Sequence, residues 1–290
     1  MSDNKREIYA KLKLTLDAGG VREANRGLRV LREGKDPESV QLHGLLAARI
    51  ALKSGKPVDW ESLEPDAALG DGLQAETHYV RGLAHFAAGD SADGAASFRE
   101  AAAGFGAAGK KESQLVALFN EYVGDINGPG PLSHEREVAK LRIIERLAFE
   151  VKNRHTEGLV ARAKSLHLQS QKRLAAALNE GKKSIRLLEI YGTPQEYDLA
   201  LLQLADLYLD SNQPELAQIS LERVNHPSDP RTAQAFELLS AKLAGRPAKL
   251  SADSVLPLWR DKLESWQRCC LKATRKNGRG SLLRVTRASA

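Results

Sequence analysis

Apolar residues recur at helical spacing on both sides of a glycine-aspartate joint in the first half of the chain. One apolar face ends before Gly89-Asp90, and a second begins after it. Small residues on both faces would allow two helix backbones to approach closely. The pattern therefore predicts an antiparallel helix hairpin over residues 75–108. Its face residues are Tyr79, Gly82, Leu83 and Phe86 on the first helix and Ala95, Phe98, Ala101 and Ala102 on the second.

This hairpin resembles a tetratricopeptide repeat, when Ala75 is taken as position 1. The residues that match the motif are Gly82, Gly89-Asp90, Phe98 and Ala101. Two residues depart from it, because His78 stands where Trp is commonest and Gly94 where Ala is. The resemblance implies a stack of hairpins in which positions 2, 5, 9 and 12 of each first helix face a concave groove.

Turn signals recur along the chain at an interval close to one repeat. Gly19, Gly55, Gly89 and Gly124 are separated by 36, 34 and 35 residues, and each follows a helical run. A further unit spans residues 198–230, where Asn212 replaces the turn glycine and Pro214 suits the first turn of a helix. Together with the resemblance, this spacing predicts an all-α fold. We expect a right-handed superhelical solenoid of about six hairpins, some degenerate, with capping helices at the C-terminal end.

Some stretches are less regular. Between residues 55 and 72, two prolines leave room for only a short turn of helix. Gly124-Asp125 predicts a further turn, which the Gly/Pro-rich loop after it lengthens, and Ser133 then predicts an N-cap. The stretch 156–191 has little punctuation, so it fits either two helices joined near residues 179–181 or one long bent helix.

The pattern changes near the C-terminal end and predicts three domains. Residues 1–245 form the repeat solenoid, 246–271 a linker with an amphipathic helix, and 272–290 a basic tail. Trp259, Leu263 and Trp266 share one apolar stripe of that helix. This stripe fits either docking on the last repeat or binding to a partner, which includes a second copy of the chain.

Charge separates the tail from the rest of the chain. The formal net charge is +6, while residues 268–290 contain seven basic residues and no acid. The preceding residues are therefore almost neutral, and the basic charge does not indicate a basic groove along the repeats. The residues that could contact nucleic acid are Arg275, Lys276, Arg279, Arg284 and Arg287. Residues 271–286 also resemble the end of a response-regulator winged helix, but too few residues follow Arg246 for a whole domain of that kind.

The sequence contains none of the common catalytic motifs. HExxH, GxSxG and the phosphate-binding GxxxxGKS are absent, and the only cysteines, Cys269 and Cys270, are adjacent. We therefore expect no enzymatic activity, no cofactor and no metal site. The N-terminal residues contain no apolar run of signal-peptide or membrane-spanning length, which predicts a cytoplasmic protein without a membrane partner.

What remains is a binding surface. The groove positions that the resemblance implies are Glu76, Tyr79, Leu83 and Phe86 in the central unit and Leu199, Leu202, Asp206 and Leu209 in the later one. They form a largely apolar lining with scattered acids, which suits an amphipathic helix or an extended segment of another protein. The sequence thus predicts a protein-binding scaffold, with bacterial origin expected.

Two other functions fit the same residues. One is a transcription-associated regulator, in which the repeats serve as a sensor or dimerisation arm and the basic tail contacts DNA or RNA. The other is a peptide-sensing repeat protein that acts on response regulators. A scaffold would keep its partner when residues 268–290 are removed, whereas a nucleic-acid regulator would lose its salt-dependent binding.

Overall fold

The structure is a computed structural model that describes most of the chain. The described residues are 2–17, 20–32, 36–58, 63, 70–128, 132–225, 230–248, 250, 263–264 and 266–267. Twelve α-helices and no strands are assigned within these ranges. The predicted all-α fold is therefore confirmed. In the part of the chain that is described, no helix combines the length and the apolar character needed to cross a bilayer.

The helices divide between two compact units, Met1–Val151 and Lys152–Ala290. Unit 1 contains α1 (Ser2–Asp17), α2 (Val21–Arg32), α3 (Pro37–Lys53), α4 (Asp71–Ala88), α5 (Ser91–Ala107), α6 (Lys111–Asn127) and α7 (His134–Glu150). Unit 2 contains α8 (Arg154–Ser170), α9 (Leu174–Tyr191), α10 (Pro194–Asp210), α11 (Pro214–Glu222) and α12 (Pro230–Leu243). Within each unit, consecutive helices pack against one another as hairpins.

The hairpin of α4 and α5 forms as the sequence predicts. Gly89 adopts a left-handed φ of 85°, and Asp90 caps α5 by accepting a hydrogen bond from the amide of Asp93 at 3.3 Å. Phe98 is fully buried between the two helices. A Cβ built on Gly82 would lie 2.8 Å from the Phe98 ring, so the small residue makes room for the aromatic one.

The turn predicted at Gly124-Asp125 is wrong, because α6 continues through it to Asn127. Gly124 instead lies where α6 crosses α5. A Cβ there would come within 2.8 Å of the Ala95 Cβ and 2.9 Å of the Ser91 carbonyl oxygen. The glycine therefore serves close helix packing and not a change of chain direction, although its spacing from Gly89 suggested a turn.

The stretch 156–191 contains two helices, as one of the two alternatives predicts, but they do not join near residues 179–181. The turn lies at residues 171–173, where Lys172 has a φ of 61°, and Gly181 is inside α9. A Cβ on Gly181 would lie 3.2 Å from Ser165 Oγ, so this glycine also permits close packing. Asn212 has a φ of 56° and does replace a turn glycine, as predicted. Pro214 begins α11, which is also confirmed.

The C-terminal segment contributes to the core of unit 2. Leu263 is fully buried in the same hydrophobic cluster as Leu238 and Leu239 of α12, and Trp266 packs against that cluster. The indole Nε1 of Trp266 donates a hydrogen bond to the Arg246 carbonyl oxygen at 3.1 Å. Trp259, the five predicted nucleic-acid contacts and the segment 271–286 lie outside the described residues. The predicted domain boundaries stay predictions.

A half-exposed ion pair joins two helix starts in unit 2. His155 Nε2 of α8 lies 2.8 Å from Glu196 Oε2 of α10. The hydrogen bond to Glu196 and the negative charge of that carboxylate raise the pKa of His155, although burial opposes the shift. Since a raised pKa stabilises the protonated form, the contribution of His155 is complete below the unfolded pKa of about 6.5 and is lost as pH rises through the folded pKa.

We therefore expect His155→Gln to destabilise the chain more at pH 5.5 than at pH 8.5. The difference should stay below about 1 kcal/mol because the pair is partly solvated. Urea unfolding of both proteins at the two pH values measures it. In a Glu196→Gln background, which keeps an N3 side chain able to complete the capping box, the pH dependence of the effect should vanish. Persistence of the effect there would contradict the assignment to this pair.

Candidate binding clefts beside α4

Three of the four groove positions predicted in the central unit line two clefts of unit 1. Glu76 lines cleft A, a space of about 440 Å³ bordered by α1, α4 and the start of α6. Tyr79 and Leu83 line cleft B, a space of about 310 Å³ bordered by the ends of α1 and α3. Residues 76, 79 and 83 share one face of α4 because they are three and four residues apart.

Glu76 is buried and holds three helices together. Its Oε1 accepts hydrogen bonds from Tyr9 Oη at 2.9 Å and from Arg49 Nη2 at 2.8 Å. Its Oε2 accepts one from Lys13 Nζ at 3.2 Å. Arg49 belongs to α3, while Tyr9 and Lys13 belong to α1. The carboxylate of α4 is therefore the common partner of two neighbouring first helices, and its charge is compensated inside the unit.

The pKa values in this cluster follow from burial and charge. Burial alone would raise the pKa of Glu76, but the positive charges of Arg49 and Lys13 more than offset it and hold that pKa below its usual value. Burial raises the pKa of the Tyr9 phenol well above its usual value, and the neighbouring Glu76 charge adds to the shift. Glu76 is thus ionised and Tyr9 is neutral at physiological pH.

Tyr79 is fixed from three directions. The Arg49 guanidinium carbon lies 5.2 Å from the centre of the Tyr79 ring, within cation-π range. Asn120 Nδ2 of α6 donates a hydrogen bond to Tyr79 Oη at 3.1 Å. The ring also packs edge-on against Phe98, with centroids 5.4 Å apart. The side chain that forms a wall of cleft B is therefore held in one position.

Phe86, the fourth predicted position of α4, packs between helices and lines neither cleft. Its ring centroid is 4.9 Å from that of Phe98. A Cβ built on Gly94 would lie 2.3 Å from its Cδ1, and one on Gly124 2.9 Å from its Cζ. The departure from the repeat motif at Gly94 is therefore explained by packing, because the Phe86 ring occupies the space that a side chain at position 94 would need.

In unit 2 the four predicted groove residues lie mostly within the packing. Leu202 and Asp206 are fully buried, and Leu199 and Leu209 are partly exposed. Asp206 Oδ2 accepts a hydrogen bond from Gln169 Nε2 at 2.6 Å, and its Oδ1 lies 3.4 Å from Lys242 Nζ. Burial lowers the pKa of Lys242, but the charges of Asp206 and Asp210 more than offset this and raise it. That the four predicted groove residues of unit 2 bind a partner stays a prediction.

Half of the other residues that line the clefts occupy the same repeat positions on neighbouring helices. Aligning Gly19 and Gly55 with Gly89 assigns repeat positions 2, 5, 9 and 12 in the first two units. Adding one repeat length to the start at Ala75 assigns the same positions in the unit that contains α6. Most of these positions line one of the two clefts. They are Arg6, Tyr9, Lys13 and Leu16 on α1, Leu42, Arg49 and Leu52 on α3, Lys110 at the N-cap of α6, and Ser113 on α6. The repeat register identifies these residues from the sequence when it is extended beyond the two clearest units.

The turn between α4 and α5 also gathers three possible metal ligands. Atoms of His85, Asp90 and Asp93 lie within 4.8 Å of one another, and His85 Nδ1 is 3.7 Å from Asp90 Oδ2. Both acids are exposed, and Asp90 already caps α5. Capping and the buried position of His85 account for this arrangement, so we assign it no metal.

Comparison with known proteins identifies no family. No protein-family model matches the chain, and no curated protein matches it. Two solved structures are similar along most of the chain. The apo form of RapI has 11% identity and a TM-score of 0.49, covering 95% of this chain and 99% of that one. A Rap protein complexed with competence and sporulation factor has 12% identity and a TM-score of 0.45, covering 95% and 91%. Both TM-scores are below 0.5, so the fold assignment rests on this chain's own helices and their packing.

Proposed function

We propose that this protein is an interaction scaffold that holds a segment of a partner protein in clefts A and B. The proposal rests on the repeat positions that the cleft residues occupy. Equivalent positions of four first helices, α1, α3, α4 and α6, line the two clefts. A binding surface that is repeated from helix to helix suits an elongated ligand, because each repeat adds one step of the same groove.

The size and arrangement of the clefts favour a peptide segment. Each cleft has the volume of one or a few side chains, at about 440 and 310 Å³. The Glu76–Arg49 ion pair separates them, since Glu76 lines cleft A and Arg49 lines cleft B. Successive anchor residues of a helix or an extended strand could therefore occupy the clefts on either side of this partition.

The clefts are held in shape before any ligand binds. Tyr79 is fixed by Arg49, Asn120 and Phe98, and Glu76 is fixed by three donors. A binding surface whose side chains are already ordered loses less conformational entropy on association. The same contacts favour binding over catalysis, because the Glu76 and Tyr9 pKa values are shifted away from neutrality and neither group is suited to exchange a proton near pH 7.

The test is site-specific photocrosslinking in the cells of origin. A benzoylphenylalanine residue replaces Leu83 in cleft B, and in a control it replaces Ile143, an exposed apolar residue of α7. We expect a protein crosslinked from position 83 and not from position 143. With that partner purified, Leu83→Ser should weaken binding on the order of tenfold, while Ile143→Ser should leave the Kd within about twofold. A partner that crosslinks equally from both positions, or whose Kd is unaffected by Leu83→Ser, would contradict the proposal.

A further inference from the structure

We infer that the segment bound in clefts A and B is acidic and apolar, with Asp or Glu side chains between large hydrophobic ones. This inference rests on the proposed function and specifies the chemistry of the partner. The sequence pattern alone indicates a lining with scattered acids, which would favour the opposite charge. The structure reverses that expectation, because it shows which charges the clefts present.

Glu76 is not available to a ligand. It is buried, and Arg49, Lys13 and Tyr9 all donate to its carboxylate. To pair with Glu76, a basic residue of a partner would have to displace one of these donors and break a buried ion pair. Because breaking a buried pair is strongly unfavourable, the acid at position 76 does not select for a cationic segment.

The exposed and partly exposed charges along the clefts are mainly basic. Arg6, Lys13 and Lys110 line cleft A, where Arg6 pairs with Glu38 and Lys13 pairs with Glu76, and Lys53 lines cleft B. Apart from buried Glu76, Asp71 is the one acidic residue among the described residues that line either cleft. The chain before residue 268 is almost neutral. Lys110 and Lys53 have no ion pair within the described ranges, so these two cations would attract an acidic segment over about one Debye length.

Lys110 is the cation best placed to meet a ligand. It is exposed at the start of α6, and it has no ion pair with a residue in the described ranges. Its Nζ lies 2.9 Å from the point that a Cβ on Gly72 would occupy, so the glycine lets the ammonium group rest over the first turn of α4. A carboxylate could therefore pair with the Lys110 ammonium group without displacing an ion-pair partner within the described ranges.

Apolar side chains form the rest of both linings. Leu42 and Phe105 contribute to cleft A, and Leu16, Leu52 and Leu83 contribute to cleft B. Burial of hydrophobic side chains would supply most of the affinity, while the lysines would select for neighbouring carboxylates. The occupant that matches this lining in charge and in apolar character is an acidic segment of another protein.

The experiment uses a displayed library of random twelve-residue peptides selected against the full chain. Kd values of the selected peptides are then measured with the native chain, Lys110→Glu, Lys56→Glu and Leu83→Ser. Lys56 is an exposed lysine of unit 1 that lines neither cleft, so it is a matched control for the charge change. An acidic residue at the start of α6 is favourable to the helix, and the fold should tolerate Lys110→Glu.

We expect selected peptides that combine Asp or Glu with Leu or Phe. Lys110→Glu should raise their Kd about tenfold at low salt and Lys56→Glu less than about twofold, and the difference should shrink at high salt. Neutral or basic peptides that are weakened by Leu83→Ser but not by Lys110→Glu would overturn this inference and leave the proposed function standing. Failure to select peptides that are sensitive to Leu83→Ser would overturn the proposed function itself.

Discussion

Arg49→Met should destabilise unit 1 by about 3–5 kcal/mol, because it leaves the Glu76 carboxylate buried without its closest cation. Arg49 and Glu76 are each more than nine-tenths buried, and their charged atoms are 2.8 Å apart. Lys13 stays near the other carboxylate oxygen at 3.2 Å, but its side chain is partly exposed and replaces only part of the lost interaction. The loss of the cation-π contact with Tyr79 adds to the cost. The free energy of unfolding in urea measures the effect.

A second variant distinguishes charge from packing. Arg49→Met combined with Glu76→Leu removes both charges and keeps apolar volume, so it should recover much of the stability lost in the single variant. Recovery will be incomplete, because the Tyr9 hydroxyl loses its buried acceptor. If the double variant is as unstable as Arg49→Met, the charge of Glu76 is not the reason for the loss.

Phe98→Ala should cost about 3–5 kcal/mol and is the largest effect expected from a single packing residue of the central hairpin. Phe98 is fully buried, and it contacts Tyr79 and Phe86 through ring centroids 5.4 and 4.9 Å away. Gly82 lies directly opposite and has no side chain that could fill the cavity. The measurement is again urea unfolding.

Phe149→Ala provides the control for this substitution. The Phe149 side chain is 70% exposed at the end of α7, so the same chemical change there should alter stability by no more than about 0.5 kcal/mol. Comparable losses at positions 98 and 149 would contradict the assignment of Phe98 to the core. Because Phe98 also supports Tyr79, its removal should loosen cleft B before the unit unfolds.

Both predictions concern residues that contact α4. On one face, this helix carries the side chains that line the clefts. On another, it packs through Gly82 against Phe98. Glu76 connects α4 to α1 and α3, and Tyr79 connects it to α6 through Asn120. Glu76 and Tyr79 thus line the clefts and also hold the first helices in register, which is why a test of binding at Leu83 is cleaner than one at either of them.

The sequence by itself determined the all-α fold class and the helix hairpin of α4 and α5. Helical periodicity and the matched pair Gly82 and Phe98 act over a few turns, so their meaning depends little on the rest of the chain. The same holds for Asn212, because a left-handed turn between two helices has few residue choices beyond Gly and Asn. Lys152 and Lys172 are exceptions, with φ values of 56° and 61°, since nothing in their side chains indicates a positive φ.

Tertiary structure decided what the ambiguous glycines and acids do. Gly124 and Gly181 read as turns in the sequence but permit close helix contacts, and only the neighbouring helices distinguish the two uses. Glu76 read as a groove acid, yet its partners Tyr9 and Arg49 are 67 and 27 residues away. Whether a charge faces a ligand or a buried cation depends on these distant contacts. The basic character of the clefts therefore emerged only when the helices were packed together.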